Sequence, residues 1–192
     1  ALPIWEAIVH CAAKLRVALK DQLLLFTFRT KAEGGKVALA HEEYLHFIRT
    51  VLATDCAALI DIEFFTAGAE LPALIEEAHT AGAAVVCSSH DFHKTPPRAE
   101  LVSRMVAMQR AGADLPKLAV MPQSRTDVLE LLAATAEMAD RHPETPIITM
   151  SMGALGAVSR LSGEAIGSAM TFANPGKASA PGQVSLEVVN EV

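Results

Sequence analysis

The sequence predicts an α/β domain built on parallel strands, and two observations carry this prediction. Short apolar runs of strand length recur along the 192 residues, and they are continuous, as in strands covered on both faces. Segments with the apolar period of an amphipathic helix lie between these runs. Such an alternation indicates strand–helix units joined by right-handed crossovers.

Each element follows from its own local pattern. The predicted strands, in chain order, are 23–28, 57–62, 83–87, 118–121, 147–150 and, more weakly, 169–172. The predicted helices are 3–19, 42–52, 71–79, 101–110, 128–138 and 160–168. Pro72, Pro96 and Pro97 lie near predicted helix starts, and Gly82 and Gly112 follow predicted helix ends. The loop "NPGKASAPG" at 174–182 is rich in Gly, Pro and Ser, which makes it a candidate moving segment.

Periodicity leaves two architectures open, an open doubly wound sheet and part of an eight-stranded barrel. A barrel normally takes roughly 250 residues, so 192 residues fall short by about two strand–helix units. The first element is a helix that no predicted strand precedes. A barrel without its N-terminal part would explain this helix, but length and periodicity do not decide between the two architectures.

Composition favours a small molecule as the partner. The chain is 51% hydrophobic and 20% charged, with a net charge of −6. It has no Lys/Arg run or basic aromatic patch, which argues against nucleic acid and anionic membranes. No apolar run reaches the ~18 residues of a membrane span. The three scattered cysteines indicate no disulfide framework, so we expect a cytoplasmic protein.

Polar residues gather where the predicted strands end, which is where active sites form in parallel α/β folds. These residues are Arg29 and Glu33 after the first strand, Asp61 and Glu63 at the second, His90 at the third and Ser151 after the fifth. Lys117 precedes the fourth predicted strand, in "LPKLAVMPQS". A buried lysine tends to lose its proton, and a neutral amine can form a Schiff base with a ketone. The alternative is a lysine whose ammonium group reaches solvent.

The stretch "CSSHDFHKTP" allows three interpretations. A zinc site of Cys87, His90 and His93 is disfavoured, because strand alternation directs Cys87 and His90 to opposite faces. In a structural loop, Asp91 would cap the following turn and His93 would be solvated. As a general base, His90 would need a carboxylate partner, for which Glu33 is a candidate.

The glycine-rich pieces do not indicate a nucleotide cofactor. "EGGK" at 33–36 lacks the spacing of a phosphate-binding loop, and "GALG" at 153–156 is not a dinucleotide fingerprint. Met150 at a strand end is a candidate pocket residue, not a metal ligand.

Taken in order, the motifs "LLFTFRTKAEGG", "IDIEFF", "SSHDFHKTP", "LPKLAVMPQS", "PIITMSMG", "SRLSGEAIGSAMTF" and "KASAPGQ" resemble the type I 3-dehydroquinate dehydratases of the shikimate pathway. The resemblance covers essentially the whole chain. It implies an eight-stranded (βα) barrel, commonly a homodimer, that converts 3-dehydroquinate to 3-dehydroshikimate without metal or cofactor.

The resemblance also implies a role for each matching residue. Lys117 corresponds to the Schiff-base lysine, His90 to the general acid/base and Glu33 to the carboxylate paired with that histidine. The residues that correspond to substrate-binding positions are Arg29, Arg160 (on the substrate carboxylate), Ser179 and Gln183 (in the closing loop), Met150 and Phe172 (against the ring).

The chain departs from the family pattern at its ends. The family's first two strands, with a Glu-x-Arg substrate-binding motif, have no counterpart here, and the C-terminal helix stops early. The resemblance therefore implies one (βα) barrel domain over 1–192 that is incomplete at its N-terminus and slightly at its C-terminus. We expect a chain without those strands to leave sheet edges unpaired. Two alternatives are a class I Schiff-base aldolase on the same barrel and a catalytically inactive remnant that acts as a binding module.

Overall fold

A computed structural model of the chain describes residues 4–176 and 180–191 and divides it into two compact units. The first unit comprises Ala1–Ser88 and Ala111–Asp114, and the second comprises Ser89–Arg110 and Leu115–Val192. The strands are β1 (Leu25–Thr27), β2 (Leu59–Glu63), β3 (Ala84–Asp91), β4 (Leu115–Val120) and β5 (Ile148–Ser151). The helices are α1 (Ile4–Leu19), α2 (His41–Leu52), α3 (Phe64–Ala67), α4 (Leu71–Thr80), α5 (Arg98–Arg110), α6 (Arg125–Arg141), α7 (Ala157–Leu161), α8 (Gly163–Ile166) and α9 (Leu186–Asn190).

The first unit contains parallel strands packed with helices, as the sequence predicts. β1 pairs in parallel with β2, where Thr27 lies opposite Asp61, and β2 pairs in parallel with β3, where Glu63 lies opposite Ser88. Both faces of β2 are buried, because Ile60 and Ile62 alternate with Asp61 and Glu63 and all four are fully enclosed. Parallel pairing therefore brings polar residues together at the carboxyl ends of the strands.

The helices of the first unit bury the apolar stripes that predict them. α2 buries Tyr44, Phe47, Ile48 and Val51, which recur at helical spacing, and its Phe47 ring contacts Phe26 and Phe28. α4 buries Leu71, Leu74, Ile75 and Ala78 and carries a proline in its first turn, as predicted from Pro72. Gly112 has a positive φ of 100°, and a Cβ there would lie 3.3 Å from Ile75. Pro72 at the start of α4 and Gly112 just after the end of α5 confirm the helix start and the helix end that they predict.

The second unit pairs β4 with β5 in parallel, with Lys117 opposite Ile148 and Ala119 opposite Met150. Next to these strands lie α5, which buries Leu101, Met105 and Met108, and α6, which begins at the N-cap Ser124. The Ser124 hydroxyl accepts a hydrogen bond from the backbone N–H of Asp127 at 3.2 Å.

Three sequence predictions for the second unit are wrong in detail. Residues 169–172 do not form a strand in the described chain, where only an isolated bridge joins Ile147 to Ser168. The predicted helix 160–168 is replaced by α7 and α8, which are separated at Ser162. Gly163 approaches the Ser168 carbonyl so closely that a Cβ would lie 3.2 Å from it, a contact that requires a chain bent back on itself.

The third correction concerns Lys117, which is the third residue of β4 and does not precede it. Backbone pairing, and not side-chain polarity, defines a strand, and this pairing includes Lys117 opposite Ile148. The expectation of a single barrel domain that is incomplete at its ends stays a prediction. Among the described residues, no helix combines the length and the apolar character needed to cross a membrane.

Candidate active site

The carboxyl ends of β1, β2 and β3 in the first unit carry a buried polar cluster around Arg29. The guanidinium Nη1 of Arg29 donates to Glu63 Oε1 and to Ser88 Oγ, both at 2.9 Å, and Nη2 donates to Asp61 Oδ2 at 2.8 Å. The Ser88 hydroxyl in turn donates to Asp61 Oδ1 at 2.6 Å. Charge-assisted bonds of this length are the strong ones, so the cluster holds Arg29 in a defined orientation.

Glu63 is hydrogen-bonded on both oxygens. Oε1 accepts from Arg29 and from the backbone N–H of Thr30 at 2.8 Å. Oε2 accepts from the hydroxyls of Thr30 at 2.7 Å and Thr66 at 2.6 Å. The backbone N–H of Glu63 donates to the Tyr44 hydroxyl at 2.8 Å. These donors satisfy both oxygens of a fully enclosed carboxylate, which links Arg29 to Thr30 and Thr66.

Glu33 lies close to this cluster. It ends the 3₁₀ turn Lys31–Glu33, only 4% of it is exposed, and its Oε2 lies 3.4 Å from Nη1 of Arg29. The glycines of "EGGK" make the turn possible. Gly34 has a positive φ of 89°, and a Cβ on Gly35 would lie 1.8 Å from the Arg29 carbonyl oxygen. The motif is therefore a tight turn that brings Glu33 back towards Arg29. Both residues are among the candidate site residues that the sequence predicts.

The electrostatics of Arg29 follow from its partners. Burial by itself lowers the pKa of Arg29, but the carboxylates of Asp61 and Glu63 more than offset this and leave the pKa above its ordinary value. Arg29 is therefore a permanent cation. Burial also raises the pKa of the Tyr44 hydroxyl, so this group remains a neutral hydrogen-bond partner.

In the second unit, Lys117 is buried in β4 and is only 6% exposed. Its Nζ lies 4.5 Å from the centroid of the Phe172 ring. Parallel pairing of Lys117 with Ile148 and of Ala119 with Met150 directs the side chains of Lys117 and Met150 to the same face of the strands. The solvated alternative for this lysine is therefore wrong. Of the predicted substrate-binding residues, the structure brings Phe172 to the lysine and Met150 to its face.

The two histidines of "HDFH" have different surroundings. His90 lies near the end of β3, is partly buried, and its ring stacks at 6.5 Å on that of Phe92. His93 is exposed and takes part through its backbone, whose N–H donates to Asp91 at 2.9 Å and whose carbonyl accepts from Gln123 at 2.9 Å. Asp91 also accepts from the N–H of Lys94, so it caps the turn as predicted. The pairing of His90 with Glu33 stays a prediction.

The zinc interpretation gains no support. Cys87 is fully buried, and burial raises the pKa of its thiol, which disfavours the thiolate that zinc binds. Among the described residues, no group of three or more His, Cys, Asp or Glu side chains is arranged to hold a metal ion.

Arg160 lies at the end of α7 and is 3% exposed. Nη2 donates weakly to the Pro181 carbonyl at 3.4 Å, and within the described chain Nε has no hydrogen-bond partner. No described carboxylate forms an ion pair with Arg160, and burial lowers its pKa. This cation thus has hydrogen-bonding capacity to spare.

The loop predicted to close over the substrate is only partly described. Ser179 lies outside the described residues. Gln183 donates through Nε2 to the Ala173 carbonyl at 3.1 Å, and Asn174 donates to the Val184 carbonyl at 2.9 Å. Gly182, with a φ of 71°, lies so close to Gly153 that a Cβ would be 2.3 Å from its carbonyl oxygen. Asn174 was not singled out from the sequence, although an Asn directly before Pro175 is a common turn signal.

The sequence analysis assigns no function to several residues of the cluster around Arg29. Asp61 and Glu63 were located at a strand end without a function, and Ser88, Thr30 and Tyr44 were not singled out. The alternation in "IDIE" could have indicated them. Ile60 and Ile62 lie on one face of a buried strand, so Asp61 and Glu63 lie on the other face and need hydrogen-bond partners there. Those partners come from the segment after β1 and from β3, α2 and α3, so only the folded chain brings them together.

Comparison with known proteins agrees with this geometry. The family profile described as "Type I 3-dehydroquinase" matches residues 3–192. A 3-dehydroquinate dehydratase of Klebsiella pneumoniae is 49% identical over 185 residues, which cover 96% of this chain and 74% of that protein. The enzyme of Salmonella typhimurium is 48% identical over 181 residues, which cover 94% of this chain and 72% of that protein.

Solved structures extend the likeness to the fold. The type I 3-dehydroquinate dehydratase of Clostridium difficile, in a crystal structure with covalently modified comenic acid, matches with a TM-score of 0.92 at 43% identity, covering 97% of this chain and 74% of that chain. The predicted fold class, a (βα) barrel and not an open sheet, is thereby confirmed. The chain therefore belongs to the type I 3-dehydroquinase family.

Proposed function

We propose that the chain is a carbon–oxygen lyase that dehydrates 3-dehydroquinate to 3-dehydroshikimate in the shikimate pathway, through an imine on Lys117. Family membership supports the reaction. The observation that carries the choice of Lys117 is its burial in β4, with Nζ 4.5 Å from the Phe172 ring centroid. A desolvated lysine beside an apolar ring is the environment in which an amine nucleophile works. The aldolase and binding-module alternatives are not favoured by the family match.

The first step forms the imine. The unprotonated Nζ of Lys117 attacks the C3 ketone carbon, and loss of the carbonyl oxygen as water leaves a protonated imine. The cationic imine withdraws electrons from C2 and makes the C2 proton acidic. The reaction needs no metal or cofactor, because the protonated imine itself is the electron sink.

The second step is the elimination, with His90 as base and then acid. His90 removes the C2 proton, and the electron pair forms an enamine. The enamine expels the C1 hydroxyl, which takes the proton from His90 and leaves as water. Hydrolysis of the resulting imine releases the product and restores Lys117. We propose that Glu33 is the carboxylate that orients His90.

The remaining residues orient the substrate. Arg160 binds the substrate carboxylate, for which its buried guanidinium has unused donors. Arg29 contributes a second, permanent cation. Met150 and Phe172 pack on the ring, and Ser179 and Gln183 belong to the loop that closes over it. A fixed ring limits the elimination to one pair of substituents.

Borohydride trapping tests the imine. The protein is incubated with 3-dehydroquinate and sodium borohydride, and the reduced adduct is located by peptide mapping. We expect one adduct, on Lys117. Lys94, an exposed lysine of the second unit, is the internal control and should stay unmodified. A folded sample with no adduct, or with the adduct on another lysine, would contradict the proposal.

Two further properties belong to the proposal. We infer a homodimer in the cytoplasm that binds a small-molecule substrate and no nucleic acid. Sedimentation velocity gives the oligomeric state directly, and a single monomer peak at micromolar concentration would contradict the dimer.

A further inference from the structure

We infer that Asp61 and Glu63 are positioning residues, which hold the two nitrogens of the Arg29 fork so that Arg29 presents one fixed orientation to the substrate. This inference rests on the proposed function for the role of Arg29, but the geometry that carries it lies wholly within the first unit. Neither carboxylate is given a part in the chemical steps above.

The two carboxylates divide the guanidinium between them. Asp61 receives Nη2 at 2.8 Å, and it is the only described residue that does so. Nη1 is directed at Glu63 and Ser88, both at 2.9 Å, and more loosely at Glu33 at 3.4 Å. A planar fork bound at both Nη nitrogens cannot rotate about its Nε–Cζ bond without breaking charge-assisted hydrogen bonds.

The carboxylates are themselves held rigidly. Asp61 and Glu63 are each 0% exposed, on the same face of β2. The Ser88 hydroxyl holds Asp61, while Thr30 and Thr66 hold Glu63. Because Glu63 also binds the backbone N–H of Thr30, it anchors the residue next to Arg29 along the chain. β2 therefore holds the side chain of Arg29 directly and the backbone at the next residue, Thr30.

Glu33 depends on the same arrangement. Its Oε2 faces the Nη1 that Glu63 and Ser88 hold, and the tight turn at Gly35 returns the chain to the Arg29 carbonyl. A displaced Arg29 would thus also disturb the carboxylate that we assign to His90. We expect the loss of either positioning residue to weaken substrate binding more than it slows the chemical steps.

Isosteric amides test this inference by removing the negative charge that strengthens the hydrogen bonds to Arg29 while keeping the shape of the side chain. In Asp61→Asn, the amide oxygen can still face Arg29 while the amide nitrogen donates to the Ser88 hydroxyl. In Glu63→Gln, the amide nitrogen can donate to the hydroxyls of Thr30 and Thr66. Hydroxyl groups accept as readily as they donate, so each variant loses charge but keeps its shape.

The first measurement compares the change in KM with the change in kcat for each variant. We expect Asp61→Asn to raise KM about 10-fold and Glu63→Gln to raise it about threefold, with kcat changed less in each. In an Arg29→Lys background, Asp61→Asn should raise KM at most about twofold further, because lysine has no second nitrogen for Asp61 to hold. Glu77→Gln, which removes a half-exposed partner of Arg49 in the same unit, is the matched control and should leave KM unchanged.

The second readout needs no activity. In ¹⁵N NMR spectra, the Nη signals of a held guanidinium are resolved, and free rotation merges them. We expect separate Arg29 signals in the wild-type protein and in Glu77→Gln, and merged signals in Asp61→Asn. Arg29 signals and a KM that are both unchanged in Asp61→Asn would overturn the inference. A wild-type protein with resolved signals but no dehydratase activity would contradict the proposed function and leave the positioning role established.

Discussion

Arg29, which is partly buried just after β1, and Arg160, which is buried near the end of α7, have opposite surroundings. Arg29 in the first unit contacts the carboxylates of Asp61, Glu63 and Glu33, and its pKa lies above the ordinary value. Arg160 in the second unit has no carboxylate partner among the described residues, and burial lowers its pKa. Within the described part of the chain, carboxylates thus surround the Arg29 cation, and none pairs with Arg160.

This difference indicates a division of labour. A buried cation with an unused donor costs free energy until an anion arrives, which suits the carboxylate-binding role that we propose for Arg160. A cation already bound by carboxylates cannot give full charge to a ligand but can offer it a fixed direction. In our proposal, Arg160 therefore contributes binding strength and Arg29 contributes orientation.

The largest expected effect comes from replacing Lys117, the nucleophile in our proposal. Replacing Lys117 with Ala removes the nucleophile, so we expect kcat/KM to fall by at least about 10⁴-fold. Substrate binding should survive, because both arginines remain, and isothermal titration of 3-dehydroquinate measures it. Substantial residual turnover in Lys117→Ala would contradict the imine mechanism.

Replacing His90 should have the next largest effect. We expect His90→Ala to lower kcat by about 10²- to 10⁴-fold while borohydride still traps the imine, because the base acts after the imine forms. His93→Ala is the matched control, since the described contacts of His93 use its backbone, which alanine retains. If His93→Ala were equally damaging, the assignment of the acid/base to His90 would be wrong.

Replacing Arg29 and replacing Arg160 should change the free energy of unfolding by different amounts. Arg29→Met leaves buried carboxylates without their cation, so we expect the free energy of unfolding to fall by about 3–5 kcal/mol. Arg160→Met removes a cation that no described carboxylate contacts, so we expect the free energy of unfolding to change by less than about 1 kcal/mol and KM to rise. Urea unfolding followed by circular dichroism measures both variants. Equal losses of stability would remove the distinction between the two arginines.

The smallest expected effect is on the pH dependence of stability, through Asp127, a carboxylate of the second unit that accepts hydrogen bonds. The backbone N–H of Gln123 and then the Ser124 hydroxyl bind Asp127 at the start of α6 and lower its pKa. A lowered folded-state pKa contributes stability above the unfolded value, and this contribution is lost as pH falls through the folded value. We expect Tm to drop below about pH 4 in the wild-type protein, and to drop less in Asp127→Asn. Parallel curves for the two proteins would show that this cap is not titrating.

Much of the fold was readable before the structure, because apolar periodicity is local. The buried stripe Tyr44, Phe47, Ile48 and Val51 predicts α2, and continuous apolar runs predict β2 to β5. Near 160–172, helical period and a weak apolar run predict one continuous helix and a strand, and the described chain contains neither. There, the close approach of Gly163 to Ser168 breaks one predicted helix into two short helices, and residues 169–172 gain no strand partner in the described chain.

For the site, the motifs by themselves determined which residue types were present and in what order, and this sufficed to indicate Lys117, His90 and Arg160. Contacts between distant segments were decided only by tertiary structure. The fork of Arg29 meets Asp61, Glu63 and Ser88, which lie 32 to 59 residues further along the chain. Parallel pairing of β1, β2 and β3 brings these side chains to one end of the strands, and burial then makes their charges depend on one another. A linear pattern contains neither the pairing nor the exclusion of water, so it cannot show that one arginine is satisfied and the other is not.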